Sequence, residues 1–141
     1  MGEGDRLSPE EMLYRTLLEE HVDGDRILDD AIEMPRCSFD RSSLSTPEQS
    51  LARRPQEPRV MEVQVSELPS PVFRATTEEF YEFLAIHRPE PGNEAHSQVE
   101  LTTAAGHAPK RVNEDFRKDA RSKLAAVVRV RGTLPPAVSP A

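Results

Sequence analysis

The segment 88–99 (RPEPGNEAHSQV) constrains the fold more than any other part of the chain, because it forces the backbone to reverse. Its two prolines lack amide hydrogens and hold the backbone extended, and the Gly-Asn pair that follows favours the positive φ of a tight turn. The flanking segments, 80–87 and 97–101, contain the apolar residues typical of strands. The sequence therefore predicts a β-hairpin, with His96 at the entrance of its second strand.

Local patterns predict three further elements. Alternating apolar and polar residues predict a strand over 59–65. A Thr-Pro-Glu-Gln capping box predicts a helix over 47–54, and an apolar stripe predicts a second helix over 114–128, capped by Asn113. Residues 76–87 fit either a helix or a strand, and we predict a helical turn followed by a strand from residue 80.

The N-terminal region shows the signature of a helix start. A Ser-Pro-Glu-Glu capping box at residues 8–11 predicts an acidic helix that ends at the Asp-Gly pair of residues 23 and 24. We therefore predict a single α+β domain over residues 1–131, in which 1–34 form an acidic helical arm. Its small, mainly antiparallel sheet is covered by the C-terminal helix and flanked by the acidic N-terminal helix. Residues 132–141 are predicted to form a Pro-rich disordered tail.

Composition excludes several classes of protein. The single cysteine, Cys37, allows neither an internal disulfide nor a thiolate-rich metal site within one chain. Aromatic residues make up only 5% of the chain, which disfavours a deep apolar ligand pocket. The longest apolar run, 124–128, is too short to span a bilayer, and the acidic first residues lack the apolar centre of a signal peptide. We expect a cytoplasmic protein.

Charge is distributed unevenly along the chain. Residues 1–34 carry eleven acidic and three basic side chains, whereas residues 109–131 carry eight basic and three acidic ones. Such regions either attract each other within the fold or present two faces to different partners.

Three patterns resemble catalytic or metal sites without meeting their requirements. The acidic segment 23–33 places Ile27 at a ligand position of a calcium loop and lacks the central glycine. The spacing of Cys37 and Arg41 does not match the phosphate loop of cysteine phosphatases. His96 and His107 have neither helical spacing nor an evident third ligand. We therefore expect no metal, no cofactor and no catalytic residues.

A series of short motifs adds a resemblance. The motifs are residues 13–15 (LYR), 21–24 (HVDG), 37–41 (CSFDR), 45–48 (STPE) and 89–96 (PEPGNEAH), with a valine-rich strand and a closing helix. In this order they resemble a loose group of small uncharacterised bacterial proteins over most of residues 12–128. The resemblance implies a cytoplasmic protein that accompanies multi-gene bacterial defence or conflict systems, and it directs attention to Asn93 and His96.

Separated charge without a catalytic constellation favours a non-enzymatic accessory protein that binds a partner protein. The predicted partner-binding residues are Glu11, Glu19, Glu20, Asn93, His96, Arg117 and Arg121. One alternative is a small metal-dependent hydrolase centred on His96, with His107, Cys37 or Asp40 as candidate further residues. The other is a nucleic-acid-binding protein that uses the basic C-terminal helix, which the acidic first segment and the net charge of −7 disfavour.

Overall fold

The computed structural model describes residues 2–69, 72–74, 79–103 and 114–131. The strands and α-helices are β1 (Met12–Leu17), β2 (Val22–Asp23), β3 (Arg26–Ile27), β4 (Arg36–Arg41), α1 (Pro47–Arg53), β5 (Arg59–Gln64), β6 (Val72–Arg74), β7 (Glu79–His87), β8 (His96–Thr103), α2 (Glu114–Val127) and β9 (Arg129–Val130). Short 3-10 turns occur at Glu19–His21, Asp29–Ala31 and Val65–Glu67.

An antiparallel sheet organises these elements. Within the described residues it has seven strands in the order β6-β7-β8-β4-β1-β5-β9, and each neighbouring pair runs antiparallel. A separate hairpin joins β2 to β3. The prediction of an α+β fold with an antiparallel sheet is therefore confirmed.

The predicted β-hairpin is formed by β7 and β8. The two strands pair from Tyr81 with Thr103 to His87 with Ser97. Between them, the backbones of Glu90 and Asn93 exchange hydrogen bonds of 3.0 Å and 2.9 Å, and the intervening glycine has a φ of +81°. The prolines and the glycine of this tight turn thus determine the register in which β7 pairs with β8.

Two of the three predicted helices, α1 and α2, are present. Helix α1 begins with the predicted capping box, in which Thr46 and Gln49 each accept a hydrogen bond from the other's backbone amide. No described helix has the length and apolar character needed to cross a membrane. The predictions for Asn113, His107, the helical turn at residues 76–78 and the tail over 132–141 fall outside the described residues.

The predicted N-terminal helix is wrong, because Met12–Leu17 form a strand in the interior of the sheet. Leu13 and Leu17, both 1% exposed, are four residues apart, and this spacing puts two side chains on one face of either a helix or a strand. Continuous pairing of β1 with β5 overrides the local capping signal. Residues 19–31 of the predicted acidic arm form two 3-10 turns on either side of the β2-β3 hairpin.

Strand β4 was not predicted, although it lies between β8 and β1. Cys37 and Phe39 point into the core. Ser38 and Asp40 alternate with them on the opposite face. Asp40 is nevertheless only 4% exposed. Because a polar residue occupies a buried position, β4 lacks the sequence pattern of buried apolar and exposed polar residues that would predict a strand.

The hydrophobic core lies on one face of the sheet. It includes Leu13 of β1, Phe39 of β4 and Leu101 of β8, together with Ala120 and Leu124 of α2. Helix α1 instead contacts β1 and β5. Its Ser50 and Arg53 reach Asp40, so it lies over the polar face of β4. The two faces of β4 therefore have different chemistry, and the polar one carries the candidate site.

Candidate functional site

Two loops meet where β4 ends and β8 begins. Asp40 pairs with His96 across these strands, and the amide of Arg41 donates to the carbonyl oxygen of Ala95 at 2.9 Å. The loop after β4, residues 42–46, therefore lies beside the turn before β8, residues 88–95. We refer to these two segments as the loop pair. Two of the motifs that carry the bacterial resemblance, 45–48 and 89–96, overlap these segments, and a third, 37–41, ends directly before the first of them.

A buried carboxylate joins the loop pair to helix α1. Asp40 Oδ1 accepts a hydrogen bond from Asn93 Nδ2 at 2.8 Å. Asp40 Oδ2 accepts from Ser50 Oγ at 2.6 Å and from Arg53 Nη1 at 3.0 Å. Because a carboxylate removed from water requires such donors, these contacts fix the positions of three separate segments.

Helix α1 supplies two of the donors through its spacing. Ser50 and Arg53 are three residues apart and lie on one face of the helix. The Ser50 hydroxyl oxygen also lies 3.0 Å from the Ser45 hydroxyl oxygen. Arg53 Nη1 donates to the same Ser45 oxygen at 3.1 Å. The N-terminal capping box sets where the helix begins, and hence which side chains reach Asp40.

An ion pair occupies the other face of β4 at its last residue. Arg41 donates to Glu11 Oε1 at 3.0 Å, and the Ser43 amide donates to Glu11 Oε2 at 2.7 Å. Burial alone would raise the pKa of Glu11, but hydrogen bonds from Arg41 and Ser43 outweigh it and lower that pKa. Burial, followed by the positive charge of Arg41, lowers the pKa of His87, which accepts from Arg41 Nη1 at 3.4 Å.

His96 is packed into the turn and is only 3% exposed. Its Nδ1 lies 2.7 Å from the carbonyl oxygen of Arg88, which only accepts, so Nδ1 carries the hydrogen. In the neutral ring, Nε2 then accepts from the hydroxyl of Ser38 at 3.1 Å. The Glu90 carboxylate lies 3.6 Å from the same nitrogen. Both ring nitrogens therefore have partners within the fold.

A shallow groove of about 420 Å³ lies over the Asp40 network. It is lined by Leu44, Arg53 and residues 92–95. Leu44 is 48% exposed and is the one large apolar side chain among the described residues that remains exposed. The loop pair thus exposes the apolar side chain of Leu44 on a surface that the buried hydrogen bonds of Asp40 hold in place.

The predicted partner-binding residues do not form one surface patch. Glu11, Asn93 and His96 are buried and bonded within the fold around β4. Glu19 and Glu20 are exposed on a 3-10 turn, where Glu19 pairs with Arg59 at 2.8 Å. The predicted basic residues Arg117 and Arg121 each pair with Glu114, at 3.0 Å.

Sequence reasoning missed the residues that hold the site together. Asp40 was named only beside His96 in the hydrolase alternative, and Arg41, His87, Ser50 and Arg53 were not selected as site residues. Two signals were available in the sequence. One is the Asp40-Arg41 pair at the end of a segment in which apolar and polar residues alternate, and the other is the three-residue spacing of Ser50 and Arg53 in the capped helix. Across the described ranges, no group of three His, Cys, Asp or Glu side chains is placed to hold a metal ion.

Fold and site together define a small α+β protein with a polar network beneath a loop surface. No protein-family model, curated protein or solved structure matches the chain.

The first prediction concerns Asn93. Asn93→Ala removes one donor from the buried Asp40 and should lower the free energy of unfolding by about 1–3 kcal/mol, measured by urea denaturation. Asn93→Asp places a second carboxylate beside Asp40 and should destabilise more. Glu94→Ala, at an exposed neighbouring position, should change stability by less than about 0.5 kcal/mol. Equal effects for all three variants would contradict the assigned role of Asn93.

The second prediction concerns pH. The pKa of Glu11 is lowered in the folded state, so its stabilising contribution is present above the ordinary value of 4.5 and is lost as pH falls through the folded value. Between about pH 6 and pH 3, Glu11→Gln should therefore lose less stability than the wild-type protein. Urea titrations across this range measure the difference. Parallel stability curves for the two proteins would rule out this contribution.

Proposed function

We propose that this protein is a non-enzymatic accessory protein that binds a partner protein through the loop pair, with Leu44 at the centre of contact. The observation that carries the proposal is the exposure of Leu44 beside a groove whose walls are fixed by Asp40. Burying an apolar side chain favours association, and a surface that is already ordered loses less conformational entropy when it binds.

The chemistry beneath the groove supports binding rather than catalysis. Asp40 accepts three hydrogen bonds, and both nitrogens of His96 face fold partners, so these groups already have structural roles. The proposal includes the cytoplasmic role in bacterial defence systems that the motif resemblance implies. Its support is that motifs 37–41 and 89–96 flank or contribute to the loop pair.

Nucleic-acid binding through α2 has less support. Arg117 and Arg121 pair with Glu114, and Lys123 lies 3.4 Å from Asp119. These carboxylates belong to the same helix and reduce its positive field, whereas binding to a polyanion depends on unneutralised cations. We therefore place a protein partner ahead of a nucleic acid.

The third prediction tests Leu44. Peptides selected from a random display library on the folded wild-type protein should include binders that lose at least about tenfold in affinity on Leu44→Asp, because a charge replaces the apolar contact. Lys118→Asp is the matched control, since it makes an exposed helix position acidic. Calorimetric titration measures both variants. Selected peptides that bind Leu44→Asp as tightly as the wild-type protein would contradict the proposal.

A second candidate function rests on one specific geometry. Ser38 lies 3.1 Å from His96, whose other nitrogen is held by a carbonyl at 2.7 Å, and this resembles a nucleophile, a base and the group that orients the base. Ser38 is partly exposed. This arrangement favours a hydrolase centred on His96, in a metal-independent form.

A fluorophosphonate probe separates the two functions and gives the fourth prediction. For a binding protein we expect no labelling of the folded chain above that of the denatured chain, measured by intact-protein mass spectrometry. Stoichiometric labelling that is lost in Ser38→Ala but kept in Ser43→Ala, an exposed serine, would instead establish the hydrolase.

A further inference from the structure

A second groove lies between the β2-β3 hairpin and helix α2. Its volume is about 270 Å³. Ile27, Ala125 and Val128 contribute to its lining, and each is less than 10% exposed. Ligand pockets for drug-sized molecules are typically about 300–1,000 Å³, so this groove suits one or two side chains of a peptide better than a whole small molecule.

The lining also contains charged residues. Asp25, Arg26 and Asp29 lie beside the apolar residues of the groove and are exposed. They belong to the segment 19–33, in which seven carboxylates accompany a single arginine. All seven of those acidic residues are exposed. Two of them pair with arginines of other segments, Glu33 with Arg15 at 3.8 Å and Glu19 with Arg59 at 2.8 Å. The other five still outnumber Arg26, so the field around the groove is negative.

The two walls of this groove are connected directly. The Ser122 hydroxyl of α2 donates to Asp29 Oδ2 at 2.6 Å, and α2 contacts the 3-10 turn Asp29–Ala31. Ala31 is fully buried in the hydrophobic core and anchors that turn. The groove is therefore formed by packed elements and does not depend on a ligand to assemble its walls.

We propose that this acidic groove binds a cationic segment of a partner protein, in which lysine or arginine residues flank one apolar side chain. The apolar side chain enters the groove between Ile27 and Ala125, and the flanking cations lie near Asp25 and Asp29. Charge complementarity selects this occupant, because an acidic peptide or a nucleic acid would meet the carboxylates of segment 19–33. This surface does not include Leu44 and is independent of the function proposed for the loop pair.

The test uses a short fluorescein-labelled peptide with lysines on both sides of a central leucine. Anisotropy titration should give saturable binding to the full chain that weakens as salt rises. Replacing the central leucine by glycine should weaken binding, and replacing the lysines by glutamates should abolish it. These two peptides test the apolar and the charged parts of the groove separately.

Variants of the protein provide the fifth prediction. Asp25→Asn should weaken binding by about two- to fivefold, as expected for one exposed charge pair. Glu48→Gln, which removes an exposed carboxylate on α1, is the matched control and should have no effect. Ala126→Gln places a longer side chain at an exposed helix position in the lining and should remove the preference for leucine over glycine.

Several outcomes would overturn the inference. They are no saturable binding at peptide concentrations up to about 1 mM, equal effects of Asp25→Asn and Glu48→Gln, and a leucine preference that survives Ala126→Gln. Dimerisation of the protein that Ala126→Gln abolishes, seen by sedimentation, would assign the groove to a second copy of the chain. Leu44→Asp should leave peptide binding unchanged, so a failure here is distinguishable from a failure of the loop-pair proposal.

Discussion

The burial of the Asp40 carboxylate is the constraint on which the site depends. A carboxylate that is 4% exposed is costly unless hydrogen-bond donors replace water, and here the donors come from the β7-β8 turn and from helix α1. Three separate segments must therefore come together. The reversal before β8 places Asn93, and the start of α1 places Ser50 and Arg53.

The end of β4 is fixed on both of its faces. Successive side chains of a strand point in opposite directions, so Asp40 and Arg41 lie on opposite sides of the sheet. Asp40 binds α1 and the turn, while Arg41 binds Glu11 in the segment before β1. Removing one member of a buried pair leaves an uncompensated charge and typically costs about 3–5 kcal/mol, which favours one arrangement of these loops over alternatives.

This rigidity connects the fold to the proposed function. An apolar side chain on a mobile loop would lose much of its binding energy to ordering, whereas Leu44 follows a strand end held by two polar networks. The acidic groove is also rigid, because a hydrogen bond between Ser122 and Asp29 joins its two walls. Both surfaces are ordered before any partner arrives.

The sequence predicted those parts of the fold that depend on local chemistry. The reversal at residues 88–99, the capped helix α1 and the alternating strand β5 required only turn residues, a capping box and a period of two. Strand β1 was mistaken for a helix, because leucines four residues apart fit the repeat of a helix as well as that of a strand. What makes β1 a strand is its pairing with β5, which is distant in sequence. The polar networks were missed for the same reason. Asn93 was selected, but its partner Asp40 lies 53 residues away in sequence.

Native-state hydrogen exchange tests the central claim most directly, because it reports whether the loops open independently of the sheet. The decisive amides are those of Arg41, Ser43 and Ala95, which donate to Ala95, Glu11 and Asn93 respectively. If the networks unite the loops with the sheet, these amides exchange only through global unfolding, with the same opening free energy as Val99 in β8. Exchange of all three as fast as in the exposed turn at Gly24 would contradict the account.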